Sequence, residues 1–406
     1  MIISKGSLNY VFSLIPFFAI FYLESISIGG FSVGFLWKSV FLLVLAVFIL
    51  LKLNKNPSIH RIHVIAYLIA FNSLIYYSNE DDWLINLNEN VKYFSLPILM
   101  HLFHLRHVSH RENLSEVVTL CVMLAVFCVP FIFGWWEPLG KGYNLDLFGL
   151  EESGFVGFFQ GPHSAGITMA LCGIILLYQV PEFSKSHKLV LFFGLSISLV
   201  AVYLSYVRTA WLMSLVPLGL WVFVRPSVRS LAQKLLVTAG LSVFLYLFYQ
   251  SSELLQMRFS GTNVYSSQDA SFATVSSGRT LFWLFSIIDW FESGPLSLLI
   301  GSGYNHALMD MEARIGTPLI AHNGFIDALH MNGLIGFSLL LLFFKELATL
   351  LGDNRRYYNY GMMRSFFVAY FLYVLLQGSQ FFLVDVLLAY MIALCLSDKV
   401  NKHQLT

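Results

Sequence analysis

Three side chains carry most of the chemistry this sequence can offer. They are Arg208 in Ser205-Tyr206-Val207-Arg208-Thr209-Ala210-Trp211, Arg279 in Ser276-Ser277-Gly278-Arg279-Thr280-Leu281-Phe282-Trp283, and His322 in Ala321-His322-Asn323-Gly324-Phe325. A guanidinium is planar, permanently charged and able to grip an anion with two parallel hydrogen bonds, which suits a diphosphate. An imidazole titrates near neutrality and can take the proton of a hydroxyl nucleophile. Two cations beside a titratable ring point to an anionic substrate and a transfer in which the leaving group departs as an anion.

Each residue also has a plainer reading. Arg208 interrupts two apolar runs and could snorkel to lipid phosphate or cap a helix end. Arg279 could be an ordinary loop arginine, and His322, one of 12 histidines, could form a polar helix cap with Asn323. Lys92, after an acidic loop, is either a third phosphate ligand or an interfacial anchor. Arg314, in Met309-Asp310-Met311-Glu312-Ala313-Arg314, is either a further phosphate ligand or the partner of Glu312. Glu151-Glu152, Asp310-Glu312 and Asp327 are rival acid–base groups of the paired kind used on glycosides; they rank below His322, and Asp310 and Glu312 read as solvated loop charge. His101, His104, His107 and His110 recur at spacing three and could bind metal or meet lipid headgroups.

These residues have to be positioned by helices in an apolar solvent. Of the 406 residues 57% are hydrophobic, 16% aromatic and 12% charged, with 38 Phe, the composition of a polytopic membrane protein. Apolar runs of roughly the length that crosses about 30 Å of hydrocarbon as helix recur throughout. About twelve are expected, near Tyr10–Tyr22, Gly34–Leu51, His63–Tyr77, Val91–Leu105, Val117–Gly134, Ser164–Val180, Leu189–Tyr206, Thr209–Val224, Leu235–Tyr249, Gly324–Phe344, Phe366–Gln377 and Phe381–Leu396. With the N-terminus in the cytoplasm, 17 of the 24 Lys and Arg fall inside, including Lys52, Lys55, Arg225, Arg229, Arg355 and Arg356. Short basic loops resist translocation, so both termini are expected to be cytoplasmic. Arg208, Arg279 and His322 then share the outer face. The chain reads as one integral membrane domain, 1–406, with a small outer cap at 250–321 between the ninth and tenth spans. That cap contains amphipathic pieces such as Leu281–Phe291 and turns at Gly294-Pro295 and Gly301-Ser302-Gly303. Cys121, Cys128, Cys172 and Cys395 lie in expected spans and read as buried thiols. The sequence shows no CxxC, zinc-type spacing, Walker loop or dinucleotide fingerprint, so neither cofactor nor nucleic-acid partner is expected.

Taken in order, Arg208 between two spans, Ser-Gly-Arg279 with Trp283 four residues on, Gly301-Ser302-Gly303-Tyr304, and His322-Asn323-x-Phe325-Ile326-x-x-Leu329-x-x-x-Gly333-Leu334-x-Gly336 resemble the O-antigen ligase and Wzy-type O-antigen polymerase superfamily. The likeness spans roughly Gly157 to Gly336, and Gly157-Phe158-Phe159-Gln160-Gly161-Pro162-His163-Ser164-Ala165 resembles that family's lead into the following span. The resemblance implies a GT-C-like all-α membrane fold. It implies a metal-independent, inverting glycosyltransferase of the bacterial inner membrane with a periplasmic site. The donor would be an undecaprenyl-diphosphate-linked glycan. The acceptor would be either a lipid-linked repeat unit, in a polymerase, or lipid A-core, in a ligase; a chain-length regulator is a further partner of the former. At the matching positions, Arg208 and Arg279 would bind the diphosphate and His322 would be the general base, with Lys92, Asn323 and Arg314 as supporting residues. The rival class is a lipid-linked oligosaccharide flippase, which would set cations deep in a cavity reached from both faces.

Overall fold

In a computed structural model of the chain, the residues described are 27–28, 31–53, 59–75, 92–105, 110–140, 154–180, 185–224, four helical positions between 235 and 250, 279–316, 318–355, 359–378 and 381–403. Among these the chain is helical apart from a two-residue antiparallel ladder, β1 (Ser27–Ile28) with β2 (Phe31–Ser32). The helices are α1 (Val33–Leu53), α2 (Arg61–Asn72), α3 (Ser95–Leu105), α4 (His110–Ile132), α5 (Pro162–Gln179), α6 (Lys185–Leu204) and α7 (Arg208–Val224). They continue as α8 (Arg279–Glu292), α9 (Pro295–Ile300), α10 (Tyr304–Ile315), α11 (Gly324–Asp353), α12 (Tyr360–Leu376) and α13 (Phe382–His403). Ten of the expected spans coincide with one of these helices. Tyr10–Tyr22 lies outside the described residues, and Leu235–Tyr249 is described at only three helical positions.

By length and composition, three of the described helices can cross a membrane: Glu112–Ile132, His187–Leu204 and Gly324–Asp353. Five more are apolar but shorter, among them Arg61–Asn72 and Ser95–Leu105. The His63–Tyr77 expectation is therefore too long, because the helix stops at Asn72 with the Ser73 amide and hydroxyl closing its last carbonyls.

Burial separates two kinds of apolar helix. Along α13, Phe381 through Leu396 is buried on every side, packed among α3, α4 and α5, as a helix that is hydrophobic all round must be. In contrast α1 exposes Val40, Leu43, Val44, Val47, Leu50 and Leu51, and α6 exposes Leu189, Val190, Phe192 and Phe193. Apolar faces of that extent on outer helices suit hydrocarbon as solvent. Small residues bring α5 and α6 together: a methyl at Gly173 would touch Ser198 and one at Gly194 would touch Leu176. All four cysteines are free and buried.

The longest helix is broken in the middle. Gly333 in α11 takes φ 66°, ψ −168°, a conformation that L side chains avoid. The freed carbonyls are each satisfied from outside the helix. The His330 carbonyl accepts from Ser302 N–H and Oγ, each at 3.2 Å, Met331 from Gly303 N–H at 3.0 Å, and Asn332 from Asn72 Nδ2 at 3.2 Å. Away from water such partners are obligatory. The Gly301-Ser302-Gly303 turn is thus the piece that plugs the break, and a Cβ at Gly301 would collide with Met331 O at 2.0 Å.

Candidate active site

Arg208 opens α7 after a tight turn. Tyr206 sits at φ 53°, one of two non-glycine residues with positive φ among those described. The Ser205 hydroxyl ties the turn by donating to Val202 O at 2.7 Å, and Phe155 N–H reaches Leu204 O at 2.7 Å. Gly166 of α5 lies so close that a Cβ would meet Ser205 Oγ at 2.4 Å. The residues flanking the Gly-aromatic-Pro segment, Phe155 and Gly166, thus pack on the Arg208 turn, while within the segment Phe158 and Phe159 stack at 4.2 Å and Pro162 starts α5 behind an extended Gly161.

Arg279 lies at the start of α8, a strongly amphipathic helix whose Phe282 and Ser286 are buried. Its Nη1 donates to the Leu376 carbonyl at the end of α12 and to Thr209 Oγ1 at 3.4 Å. Thr209 is the neighbour of Arg208 in α7, so Arg279 reaches the first turn of the helix that Arg208 opens, 70 positions away in the chain. One turn further along α8, Trp283 Nε1 donates to Ala321 O at 3.0 Å. The helix that carries Arg279 therefore also holds the turn that carries His322.

His322 is the second non-glycine residue with positive φ, at 54°. Backbone strain of this kind persists where the surroundings over-determine it, and it collects at functional sites. Here the restraint is visible. Asp327, in the first turn of α11, accepts from Ala321 N–H at 2.9 Å on one oxygen and from Asn323 N–H at 3.1 Å on the other, clamping the residues on both sides of His322. Asn323 caps α11, its Oδ1 accepting from the Phe325 and Ile326 amides at 3.1 and 3.3 Å. Gly378, at φ 69°, closes the back of the turn, where a Cβ would meet Asp327 Oδ2 at 2.2 Å.

The His322 ring is partly exposed, yet its Nδ1 is buried with no hydrogen-bond partner among the described residues. Burial, and after it the positive charge of Arg279, pull the ring down to about 4, against a weaker opposing hydrogen bond to the Gln377 backbone. The sequence-based expectation of a ring titrating near neutrality is corrected accordingly. At physiological pH the imidazole is neutral, a proton acceptor standing beside a fixed cation.

Two other expectations change. The segment 309–314 is helical, within α10, and Arg314 is not the partner of Glu312. Its Nε donates to Asp289 Oδ1 at 2.6 Å, its Nη2 reaches Glu292 at 3.4 Å, and its guanidinium lies over the Phe285 ring at 5.6 Å. The Asp289 carboxylate holds it charged above the usual arginine range. Arg314 thus joins α10 to α8, both carboxylates being on a helix that sequence spacing does not connect to it. Asp310 is not free loop charge either: it pairs with His330 Nε2 at 3.1 Å and His306 Nε2 at 3.7 Å, tying α10 to α11. Lys92 stands just before α3, where its carbonyl accepts from Ser95 Oγ at 2.8 Å, among elements other than those that hold Arg279 and His322. His101 and His104 gather with His63 of α2 and with His60, which caps that helix, the His63 and His101 rings stacking at 4.9 Å; His107 lies outside the described residues. Glu151 and Glu152 also lie outside them. Among the described residues no group of three His, Cys, Asp or Glu side chains is placed to hold a metal ion.

Residues 193–341 match the family model described as O-antigen ligase. Over that stretch the chain is similar to this family. The matched residues run from within α6 into α11 beyond its kink, and they include Arg208, Arg279 and His322 together with the Gly301–Gly303 plug. Lys92 and the Gly157–Ala165 segment lie outside the matched residues. A search of curated proteins gives no match. The matched stretch includes two of the three described helices that are long and apolar enough to cross a membrane, His187–Leu204 in part and Gly324–Asp353 in part.

Proposed function

We propose that the protein is an inverting glycosyltransferase of bacterial surface polysaccharide biosynthesis, moving a glycan from undecaprenyl diphosphate to a sugar hydroxyl. The observation that carries this reading is the convergence of Arg279 and His322 on the end of α12, with Arg208 one residue from the Arg279 contact. In the step envisaged, the acceptor oxygen attacks the anomeric carbon while its proton passes to neutral His322. The bond from that carbon to the diphosphate oxygen breaks, its electron pair staying on the diphosphate. Negative charge grows on the leaving group as the bond lengthens, so Arg208 and Arg279 stabilise the transition state more than the bound donor. His322 accepts a proton beside Arg279 because the same displacement delivers a counter-anion to that arginine. Asn323 and Asp327 position the ring. The protein would lie in the inner membrane with both termini cytoplasmic and this site facing the periplasm.

Ligase and polymerase share donor, base and arginines and differ in whose hydroxyl attacks: that of lipid A-core, or that of the next lipid-linked repeat unit. The numbers of such enzymes in polysaccharide clusters incline the reading slightly to polymerase. A flippase is the weaker alternative, because the cation and the ring meet at one end of the bundle.

The test is transfer by purified protein, with undecaprenyl-diphosphate glycan and both acceptors offered separately, without added nucleotide or metal. Elongated or transferred glycan is expected, His322→Ala should abolish it in a protein of unchanged folding, and Arg279→Lys should lose most of it because a single ammonium cannot grip in two places. Full turnover by His322→Ala would end the general-base assignment.

A further inference from the structure

The break in α11 borders a cavity of about 90 Å³ that lies among α2, α3, α12 and α13. Two carboxamides meet there. Asn72, the last residue of α2, donates through Nδ2 to the Asn332 carbonyl at 3.2 Å, and a Cβ at Gly336 would touch both residues. Asn332 is only 7% exposed and lines the cavity, and its carboxamide has no hydrogen-bond partner among the described residues. The Oδ1 of buried Asn72 is likewise without a donor among them. A polar side chain buried in an apolar bundle is costly unless something satisfies it, so these oxygens call for a ligand.

A charged oxygen faces the same space. Asp385, in the first turn of α13, lines the cavity and receives the Ser95 hydroxyl on one oxygen. Ser95 and Asn72 stand at one level on neighbouring helices, because Phe94 and Phe71, adjacent to them in sequence, pack edge to face at 5.3 Å. No lysine or arginine is among the described residues that line the cavity. Asp327, the other carboxylate of the lining, is met by the Ala321 and Asn323 amides at the positive end of α11. Asp385 has one neutral hydroxyl, and an acidic side chain inside a membrane bundle has to be neutralised. A proton would remove the charge but leave the carboxamides unsatisfied. A cation does both.

The backbone adds a third contribution. Residues 324–332 form a half-helix whose C-terminal, negative end lies at the Gly333 break, and such ends, with the carbonyls they free, are where membrane bundles hold Na+. The Asn332 carbonyl accepts from Asn72 and keeps a second lone pair. We infer that this cavity binds one alkali-metal cation of the size of Na+, held by Asp385, the carboxamides of Asn72 and Asn332, and the Asn332 carbonyl. Charge and ligand type select the ion. One uncommitted carboxylate balances a single positive charge, and an all-oxygen set of this kind suits a hard ion and not a transition metal. The Gly301–Gly303 turn then closes the break from one side, and the cation fastens α2 and α13 to the other. The ion takes no part in the transfer step, so the inference stands independently of the glycan-transfer reading.

Thermal unfolding of the purified full-length protein in sodium, potassium or choline chloride at constant ionic strength tests it, together with direct retention of radioactive sodium. The midpoint is expected to be at least about 2 °C higher in sodium than in choline and to saturate with sodium concentration, with about one Na+ retained per chain. Asp385→Asn, a neutral isostere, should abolish both the sodium dependence and the retention. Asn332→Ala should raise the half-saturating sodium concentration about tenfold, and it decides the matter with the unaltered protein if Asp385→Asn does not fold. Equal midpoints in all three salts with no Na+ retained overturn the site and leave Asp385 to a proton. A rise confined to potassium overturns the assigned ion size, and undiminished retention in both variants places the ion elsewhere and overturns the site.

Discussion

At the scale of single residues, His322 is tuned rather than merely placed. Its pull to about 4 keeps the ring deprotonated well below neutrality, so activity should extend to lower pH than an ordinary histidine allows. The expected acid limb of kcat/KM lies near pH 4. A limb at about 6.5, the unperturbed value, would mean that burial does not persist in the free enzyme. Arg279→Gln removes one of the two causes of the depression and should move the limb upward, besides raising the donor KM. Asn323→Ala removes the α11 cap and should cost about 1 kcal/mol in denaturant unfolding. Arg314→Gln should leave the donor KM within about twofold, because that arginine is committed to Asp289 and Glu292; a large increase would restore it to the diphosphate site. The types and order of Arg208, Arg279 and His322 were legible from sequence. Asp327 reads from sequence as one of several rival carboxylates ranked below His322, because nothing in its spacing shows that its oxygens meet the amides on either side of His322.

At the scale of elements, the kink in α11 and the Gly301–Gly303 turn are one device. Gly333→Ala would bring a Cβ to 2.4 Å from the Leu299 backbone at a positive φ, and strain of that kind costs about 1–3 kcal/mol before the clash is counted. A fall in thermal midpoint of several degrees is expected in a scanning measurement, with residual activity falling in parallel because α8, α9 and α10 all lean on the same helix. An unchanged midpoint would show that the break is not a glycine requirement. Both glycines were visible as motif letters and turn signals. That one plugs the other was not, since α10 and the first turns of α11 intervene and the meeting is made by hydrogen bonds to backbone carbonyls that no side-chain pattern records.

At the scale of the whole molecule, topology is open to a direct test because every native cysteine is buried. His306→Cys, at a side chain 50% exposed on α10, should react with a membrane-impermeant maleimide in intact cells once the outer membrane is made permeable. Gly352→Cys, where an added Cβ meets nothing within 4 Å, should react only after the inner membrane is lysed. The reverse pattern would invert the orientation read from Lys and Arg. Composition and hydropathy by themselves determined that this is a helical chain for an apolar solvent, roughly where its helices fall, and which residues could handle a diphosphate and a hydroxyl. Those are local properties, set by the transfer free energy of side chains along a few turns. Only the tertiary structure decided which helices are core and which face outward, that Arg314 serves the cap, that Asp385 opens on a cavity, and that Arg279 and His322 meet at the end of α12. Such pairings depend on contacts between segments far apart in the chain, and no local free energy encodes them.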